Sequence, residues 1–230
     1  MGDATHTYAA PGIHTLEISG TFPRIYFNAT HPDREKILST LQCGVIEWAS
    51  MEGAFQGCRT INITNTSIDS PDLSNVSSLR FMFFNARAFN GYVSNWNVST
   101  ITDMRGTFGN TSFNRDVGGW DVSIVTDMNS MFSATPFNQN INVWADKVSN
   151  VENMGSMFVN CIDFNQDLNQ WVTTGLLNMD SMFNGTFAFN GIIGTWDVSS
   201  VISMNATFTG ARAFNQNINN WQVQQVRDFR

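Results

Sequence analysis

The chain has 230 residues, enough to bury a sizeable core as one elongated domain or two small ones. Only 13% of the residues are charged and another 13% are aromatic, so Asn, Ser and Thr hold polar positions that Lys and Glu usually fill. The net charge is −7 and Lys and Arg never form a run, which argues against nucleic acid and anionic membrane surfaces as partners. No stretch approaches the ~18 apolar residues of a membrane-spanning helix, and so few charges disfavour long solvated helices.

In chain order, residues 1–44 read as a small β-rich cap. Thr15-Leu16-Glu17-Ile18 and Arg24-Ile25-Tyr26-Phe27 suggest strands, with turn signals at Pro11-Gly12 and Gly20. Met1-Gly2-Asp3 leads into His6-Thr7-Tyr8 with neither a charged n-region nor an apolar h-region. Three readings of that stay open: a signal removed before the numbering begins, a segment excised from a longer chain, or export that needs no such signal.

From residue 45 onward the sequence repeats. Trp recurs at Trp96, Trp120, Trp144, Trp171, Trp196 and Trp221, each preceded by seven residues by Phe-Asn at Phe89, Phe113, Phe137, Phe164, Phe189 and Phe214. Four after each Phe stands an aliphatic: Val93, Val117, Ile141, Leu168, Ile193 and Ile218. A second set of columns follows Trp: Val76, Ile101, Val125, Val151, Leu176, Val201 and Val226, then Leu79, Met104, Met128, Met154, Met179 and Met204, with Phe229 ending the column. A further Phe comes four residues later, at Phe83, Phe108, Phe132, Phe158, Phe183 and Phe208. A worn copy starts at Trp48, with Met51, Phe55, Ile61-Asn62 and Ile68-Asp69 at matching offsets. This predicts a solenoid over 45–230 of about seven repeats of ~25 residues, the first degenerate and the last incomplete. The chain stops mid-unit after Val226, which reads as a truncation in preference to a terminal cap.

Each unit cannot bury its apolar ridge alone, so neighbours must stack and identical side chains must form ladders. A short parallel strand is expected on the V-x-x-M segment, where β-branched residues cluster as in Ile124-Val125-Thr126. The M-x-x-x-F segment, with apolar spacing of three to four, predicts a helical or 3-10 turn. The Asn after each Phe (Asn90, Asn114, Asn138, Asn165, Asn190, Asn215) predicts a buried ladder bonding the backbone of adjacent coils. On that expectation Asn165→Ala costs ~1–3 kcal/mol.

Phe137-Asn138-Gln139-Asn140-Ile141, Trp120-Asp121-Val122-Ser123 and Val125-Thr126-Asp127-Met128-Asn129-Ser130-Met131-Phe132 closely resemble the repeats of the BspA-like leucine-rich-repeat surface proteins. His14-Thr15-Leu16-Glu17-Ile18-Ser19-Gly20-Thr21-Phe22 is similar to the lead-in before such repeats. The resemblance covers the chain from about Trp48 onward and implies a leucine-rich-repeat-like solenoid on secreted or cell-surface proteins, with adhesion roles in some members. It implies no catalytic residue. Asp146 and Thr173 depart from the Val expected after Trp, and Leu177-Asn178 from the usual Thr-Asp.

Residues with catalytic or metal chemistry are few. His6, His14 and His31 all precede the repeats and match no metalloprotease, nucleophile-elbow or paired-thiol spacing, so they read as surface or cap residues, with a metal site at His6 and His14 as the remainder. Cys58 and Cys161 fall three after the Phe of their units, in a column filled elsewhere by Ala86 and Ala211, and read as small core residues. A Cys43–Cys58 disulfide is the alternative. Asp103, Asp127 and Asp228, with Asp121 and Asp197, form acidic columns that either cap turns or bind calcium between coils; interruptions at Asn97, Asn153, Asn178 and Ser203 favour turns. The Met and Phe stripes keep strict register, which favours core over a cofactor pocket. No cofactor is expected. The many Asn-x-Ser/Thr sequons, such as Asn28, Asn75 and Asn205, arise readily in a chain this rich in these residues.

Two main functions follow as expectations. One is a non-catalytic extracellular or cell-surface binding module, acting on a protein or glycan through a polar face made of Thr102, Asp103, Thr126, Asp127, Glu152, Asn153 and Asn178. The other is a structural virion component, such as a phage fibre or decoration protein, or a stalk spacer. A flat ice-binding Thr array starts at Thr102 and Thr126 but is broken by Glu152, Leu177, Ile202 and Arg227.

Overall fold

The computed structural model describes residues 7–17, 23–27, 32–40, 44, 46–63 and 69–228. Over the repeats, the residue before each Met position makes one parallel bridge to its counterpart in the next coil: Ser78 to Asp103, Asp103 to Asp127, Asp127 to Asn153, Asn153 to Asn178, Asn178 to Ser203 and Ser203 to Asp228. The strand expected on V-x-x-M is thus pared to single bridges. The Val-column N–H is committed to a turn, as in Ile101 N–H to Val98 O (3.0 Å) and Val125 N–H to Val122 O (3.0 Å). Only the two residues that follow it are free to pair with the preceding coil, through Thr102 N–H to Ser77 O at 2.8 Å and Asp103 N–H to the same oxygen at 3.4 Å.

The M-x-x-x-F segment is not helical. In coil 76–100 the N–H groups of Leu79, Phe81, Phe83 and Asn85 donate to Asp103, Arg105, Thr107 and Gly109 of the next coil, at 2.8–2.9 Å. The intervening N–H groups of Met82, Phe84 and Ala86 close turns onto Leu79, Phe81 and Phe83 instead. A helix directs every N–H along its own axis, whereas this alternation sends half of them to the neighbouring coil. The geometry requires left-handed backbone at two positions four residues apart. Phe81, Ser130, Ser156, Ser181 and Ala206 take φ of 54–57° at the first, and Asn85, Asn110, Ala134 and Asn160 take 54–62° at the second. Outside Gly, such values are uncommon and fall mostly to Asn and other small residues, as most of these are.

Length differences between copies are absorbed locally. In the two coils where only five residues separate the Phe positions, Thr111 and Thr135 hydroxyls donate to Phe108 and Phe132 carbonyls at 2.6 Å, and accept from the Phe113 and Phe137 N–H groups. The longer Trp144-to-Val151 joint forms a 3-10 segment, Asn142–Val148, kinked at Ala145.

Residues 23–27 and 32–40 fall within the stretch expected to be a separate cap, yet they pack as a further worn coil. Arg24 bridges Ser50 and Ser39 bridges Asn62, both in parallel. Ala49 N–H donates to Pro23 O and Phe27 N–H to Ala54 O, the pattern of later coils, and the Phe27 ring stacks over Phe55 at 6.4 Å. Pro32–Glu35 is a short 3-10 turn. Thr15-Leu16-Glu17 forms no strand and Leu16 is exposed; Ile18, the fourth residue of that expected strand, lies outside the described residues.

The core is the stack of apolar columns. Phe83, Phe89, Phe108, Phe113, Phe132, Phe137, Phe158, Phe164, Phe183 and Phe189 are fully buried. Within a coil the two Phe rings lie 3.7–4.4 Å apart, from Phe83–Phe89 to Phe208–Phe214; between coils the spacing is 5.7–6.0 Å from Phe83 through Phe208. Burial of each ring stabilises the stack by roughly 1.5–3 kcal/mol. Trp144, Trp171, Trp196 and Trp221 form a second aromatic column at 5.9–6.3 Å. From Trp120 onward each indole N–H donates to the aliphatic-column carbonyl of the preceding coil: Trp120 to Val93, Trp144 to Val117, Trp171 to Ile141, Trp196 to Leu168 and Trp221 to Ile193, at 2.8–3.3 Å.

Candidate functional site

The expected polar face resolves into two adjacent columns with different duties. Thr102, Thr126 and Glu152 are exposed, in line with Ser77 before them and Leu177, Ile202 and Arg227 after them. Their backbones are locked in sequence, Thr126 N–H to Thr102 O, Glu152 N–H to Thr126 O, Leu177 N–H to Glu152 O and Ile202 N–H to Leu177 O, each at 2.9 Å. A uniform backbone therefore displays side chains of differing chemistry at regular steps.

Asp103, Asp127, Asn153 and Asn178 are half-buried. Each Oδ1 accepts the N–H two residues on, at Arg105, Asn129, Gly155 and Asp180, at 2.8–3.0 Å. These are Asx turns, which steer the chain into the M-x-x-x-F segment. The other Asp127 oxygen accepts from Asn153 Nδ2 at 3.2 Å and pairs with the Arg105 guanidinium, whose Nε lies 3.2 Å away and whose Nη2 is in direct contact. That hydrogen bond holds Arg105 above its ordinary value. These four of the seven expected site residues are thus occupied within the fold; the Thr102 and Thr126 hydroxyls also donate, to Ser77 O and Thr102 O at 3.2 and 3.3 Å, though both residues stay exposed. The Asp121 and Asp197 column does the same through the Ser123 and Ser199 N–H groups, at 3.2 and 3.0 Å. Among the described residues no three His, Cys, Asp or Glu side chains gather as a metal ligand set.

The Asn ladder runs along another edge. Asn90, Asn114, Asn138, Asn165 and Asn190 Oδ1 atoms accept from the N–H groups of Asn114, Asn138, Asn165, Asn190 and Asn215, at 2.8–3.0 Å. Asn62 extends it, its Oδ1 accepting from the Asn90 N–H at 3.2 Å. The ladder is not buried: Asn90, Asn114 and Asn138 are half-buried, and Asn165, Asn190 and Asn215 are exposed. Because the side chains point along the stack at its edge, water can replace a lost partner, which lowers the expected cost of Asn165→Ala to ~0.5–1 kcal/mol.

Cys161 is fully buried, with its thiol 3.2 Å from Phe137 O and 3.6 Å from Thr135 Oγ1. Burial pushes both the Cys58 and the Cys161 thiols up to about 12, so neither is a thiolate nucleophile near neutral pH. Cys58 is a free thiol, and Cys43, its partner in the alternative disulfide reading, lies outside the described residues. His14 stacks on Tyr8 at 4.0 Å; His6 and His31 lie outside the described residues.

One surface feature escapes a column reading. The position two after Met holds Gly, Ser or Ala in neighbouring coils but Phe81 in coil 76–100, with φ of 54°. Its ring meets Phe84 edge-on at 5.3 Å and lies beneath the Arg80 guanidinium at 5.1 Å. The ring sits over Gly106, where an added Cβ would lie 2.5 Å from Phe81 Cδ1, and Phe84 covers Gly109 in the same way at 2.8 Å. The signal legible in the sequence was the break in a small-residue column, noticed only once the column is known to face outward.

The model of one protein family matches the chain over residues 49–171 and again over 152–230; its description is Mycoplasma protein of unknown function, DUF285. No curated protein and no solved structure matches the chain.

Proposed function

The chain belongs to the DUF285 family, and for it we propose a non-catalytic binding function at the cell surface or outside the cell, exerted from the outward column of a leucine-rich-repeat-like solenoid. The family match is compatible with the BspA-like repeat resemblance, and the finer assignment to BspA-like surface proteins forms part of this proposal. The observation that carries it is the exposed column Ser77, Thr102, Thr126, Glu152, Leu177, Ile202 and Arg227, which varies in chemistry while the backbone beneath it repeats. The buried Trp and Phe columns keep one residue type because they must fit their neighbours, whereas this exposed column is released from that demand and can be fitted to a ligand. Within the expected face, Thr102, Thr126 and Glu152 carry the recognition, and Asp103, Asp127, Asn153 and Asn178 hold the turns that present them. The histidines all lie within the first 31 residues and the described thiols of Cys58 and Cys161 are inert, which supports a role without chemistry.

Arrays of host-type glycans and extracellular proteins, probed with the wild-type chain and with a Thr102→Lys, Thr126→Lys, Glu152→Lys variant, test the reading. Loss of every wild-type hit in the variant is the expected result. Hits that persist unchanged would overturn the assignment of the face. Antibody labelling of intact cells tests the location, and labelling only after lysis would count against the cell surface.

A further inference from the structure

We propose that the face built by Arg80, Phe81 and Phe84 docks an acidic peptide segment of a partner protein. The inference rests on the reading of the chain as a binding module and places a second, chemically distinct contact on it. Phe81 is the only aromatic residue among the described non-glycine positions with positive φ. A bulky side chain there is a genuine outlier, and such strain gathers at ligand contacts. Neighbouring coils hold Gly106, Ser130, Ser156 and Ser181 at that position, so the turn itself does not need a ring. Gly106 and Gly109 leave the space that the two rings occupy.

The chemistry of the partner follows from Arg80. It has no ion pair among the described residues, and its buried Nε–H has no acceptor. Removing that donor from water without a partner is unfavourable. A carboxylate taken by the terminal guanidinium nitrogens balances the charge that the fold leaves unpaired and matches the fork in two bonds. Its neighbour Arg105, by contrast, is already neutralised by Asp127. A related pair stands further towards the N-terminus: Arg24 lies 4.2 Å over the exposed Tyr26 ring, and that ring rests on Gly53. Arginine and aromatic residues are the side chains that most often carry protein–protein binding energy. A sugar stacking on Phe81 is disfavoured, because one ring face lies under Arg80 and the ring packs against Gly106.

Charge placement agrees. Residues 1–115 hold eight Lys or Arg against nine Asp or Glu, whereas residues 116–230 hold four against ten. An acidic segment is therefore repelled far less by the earlier coils than by the later ones.

Fluorescence anisotropy tests this with labelled peptides in which Asp and Glu alternate with Leu and Phe, and with counterparts in which Asn and Gln replace the acids. The acidic peptides should bind the intact chain, weaken with added salt, and lose roughly tenfold or more in affinity on Arg80→Gln. Phe81→Ser should weaken binding comparably while leaving the melting temperature unchanged or raised, a combination that a merely structural ring would not give. Equal binding of the amide peptides, no binding of the acidic ones, or undiminished affinity in Arg80→Gln would overturn the proposal. So would Arg80-dependent binding of an acidic polysaccharide without peptide binding. If array hits depend on Thr102, Thr126 and Glu152 while the acidic peptides fail, the binding-module reading stands and this face alone falls.

Discussion

In coil 76–100 the residues after the Met position are Arg80, Phe81 and, further on, Phe84; in coil 151–175 the same places hold Gly155, Ser156 and Val159. Their backbones agree, with φ of 54° at Phe81 and 56° at Ser156. Their interiors also agree, since Phe83 and Phe158 are both fully buried and each stacks on the Phe of the next coil, at 6.0 and 5.7 Å. The difference teaches that the stack constrains a side chain only where it faces the neighbour's core. Outward positions are free to diverge, even to a residue the local backbone disfavours, and that freedom is what a binding surface needs.

The largest expected effect tests the shared interior. Phe108→Ala and Phe158→Ala should each cost about 3–5 kcal/mol in urea unfolding, because both rings are fully buried between rings above and below. Costs that differ several-fold between the two coils would show that the halves do not share one core.

Next comes the strained face. Gly106→Ala forces a left-handed Ala and a Cβ into the Phe81 ring, so thermal melts should show a loss of about 2–4 kcal/mol. In a Phe81→Ser background the same change should cost only about 1–2 kcal/mol, the remaining backbone term. In the later coil, Ser156→Gly should stabilise by up to about 1 kcal/mol by relieving its positive φ. An identical cost for Gly106→Ala in both backgrounds would mean that the ring does not press on that glycine.

Smaller differences are expected along the Asn ladder. Asn114 is half-buried and its Oδ1 accepts both the Asn138 N–H at 3.0 Å and Gln139 Nε2 at 2.8 Å, whereas Asn165 is exposed. Asn114→Ala should therefore cost about 1–2 kcal/mol and Asn165→Ala about 0.5–1 kcal/mol. A reversed order in chemical denaturation would contradict the edge placement of the ladder.

The smallest effect lies in the acid limb. Hydrogen bonds from the Ser199 hydroxyl and then the Ser199 N–H hold Asp197 below the usual carboxylate range. A depressed folded-state value favours the ionised native state. Its contribution is present above the unfolded carboxylate range and disappears as pH falls through the lower folded value. Melting curves taken from neutral to acid pH should show a slightly shallower decline in Asp197→Asn, a modest change because the group is exposed. An unaltered slope would show that the turn does not depend on the charge.

Much of the interior was legible because burial imposes a repeated demand. Trp120, Phe108, Phe113 and Val117 recur at constant offsets since any other register would leave a gap or a clash between coils. The worn coil that includes residues 23–27 and 32–40 was not legible. Its Phe27 reaches the Phe column with two residues fewer than elsewhere, so spacing alone read it as an independent strand. The site was read only in part. Asp103 and Asp127 looked outward-facing by their place in the repeat, but whether a carboxylate faces solvent or bends back onto the N–H two residues on depends on the local turn. The special standing of Arg80 and Phe81 was likewise invisible without knowing which columns face out.

The amino-acid sequence by itself determined the period, the identity of the core columns and the places where copies lengthen or shorten, because these follow from identical apolar side chains that must meet one another. Tertiary structure decided the rest. The N–H groups of each coil are divided between closing turns and joining the next coil, and that division sets where φ turns positive, which acids are consumed as Asx turns, and that the Asn ladder lies at an exposed edge. Backbone hydrogen bonds carry no side-chain signature of their partner, so no spacing in the chain announces them.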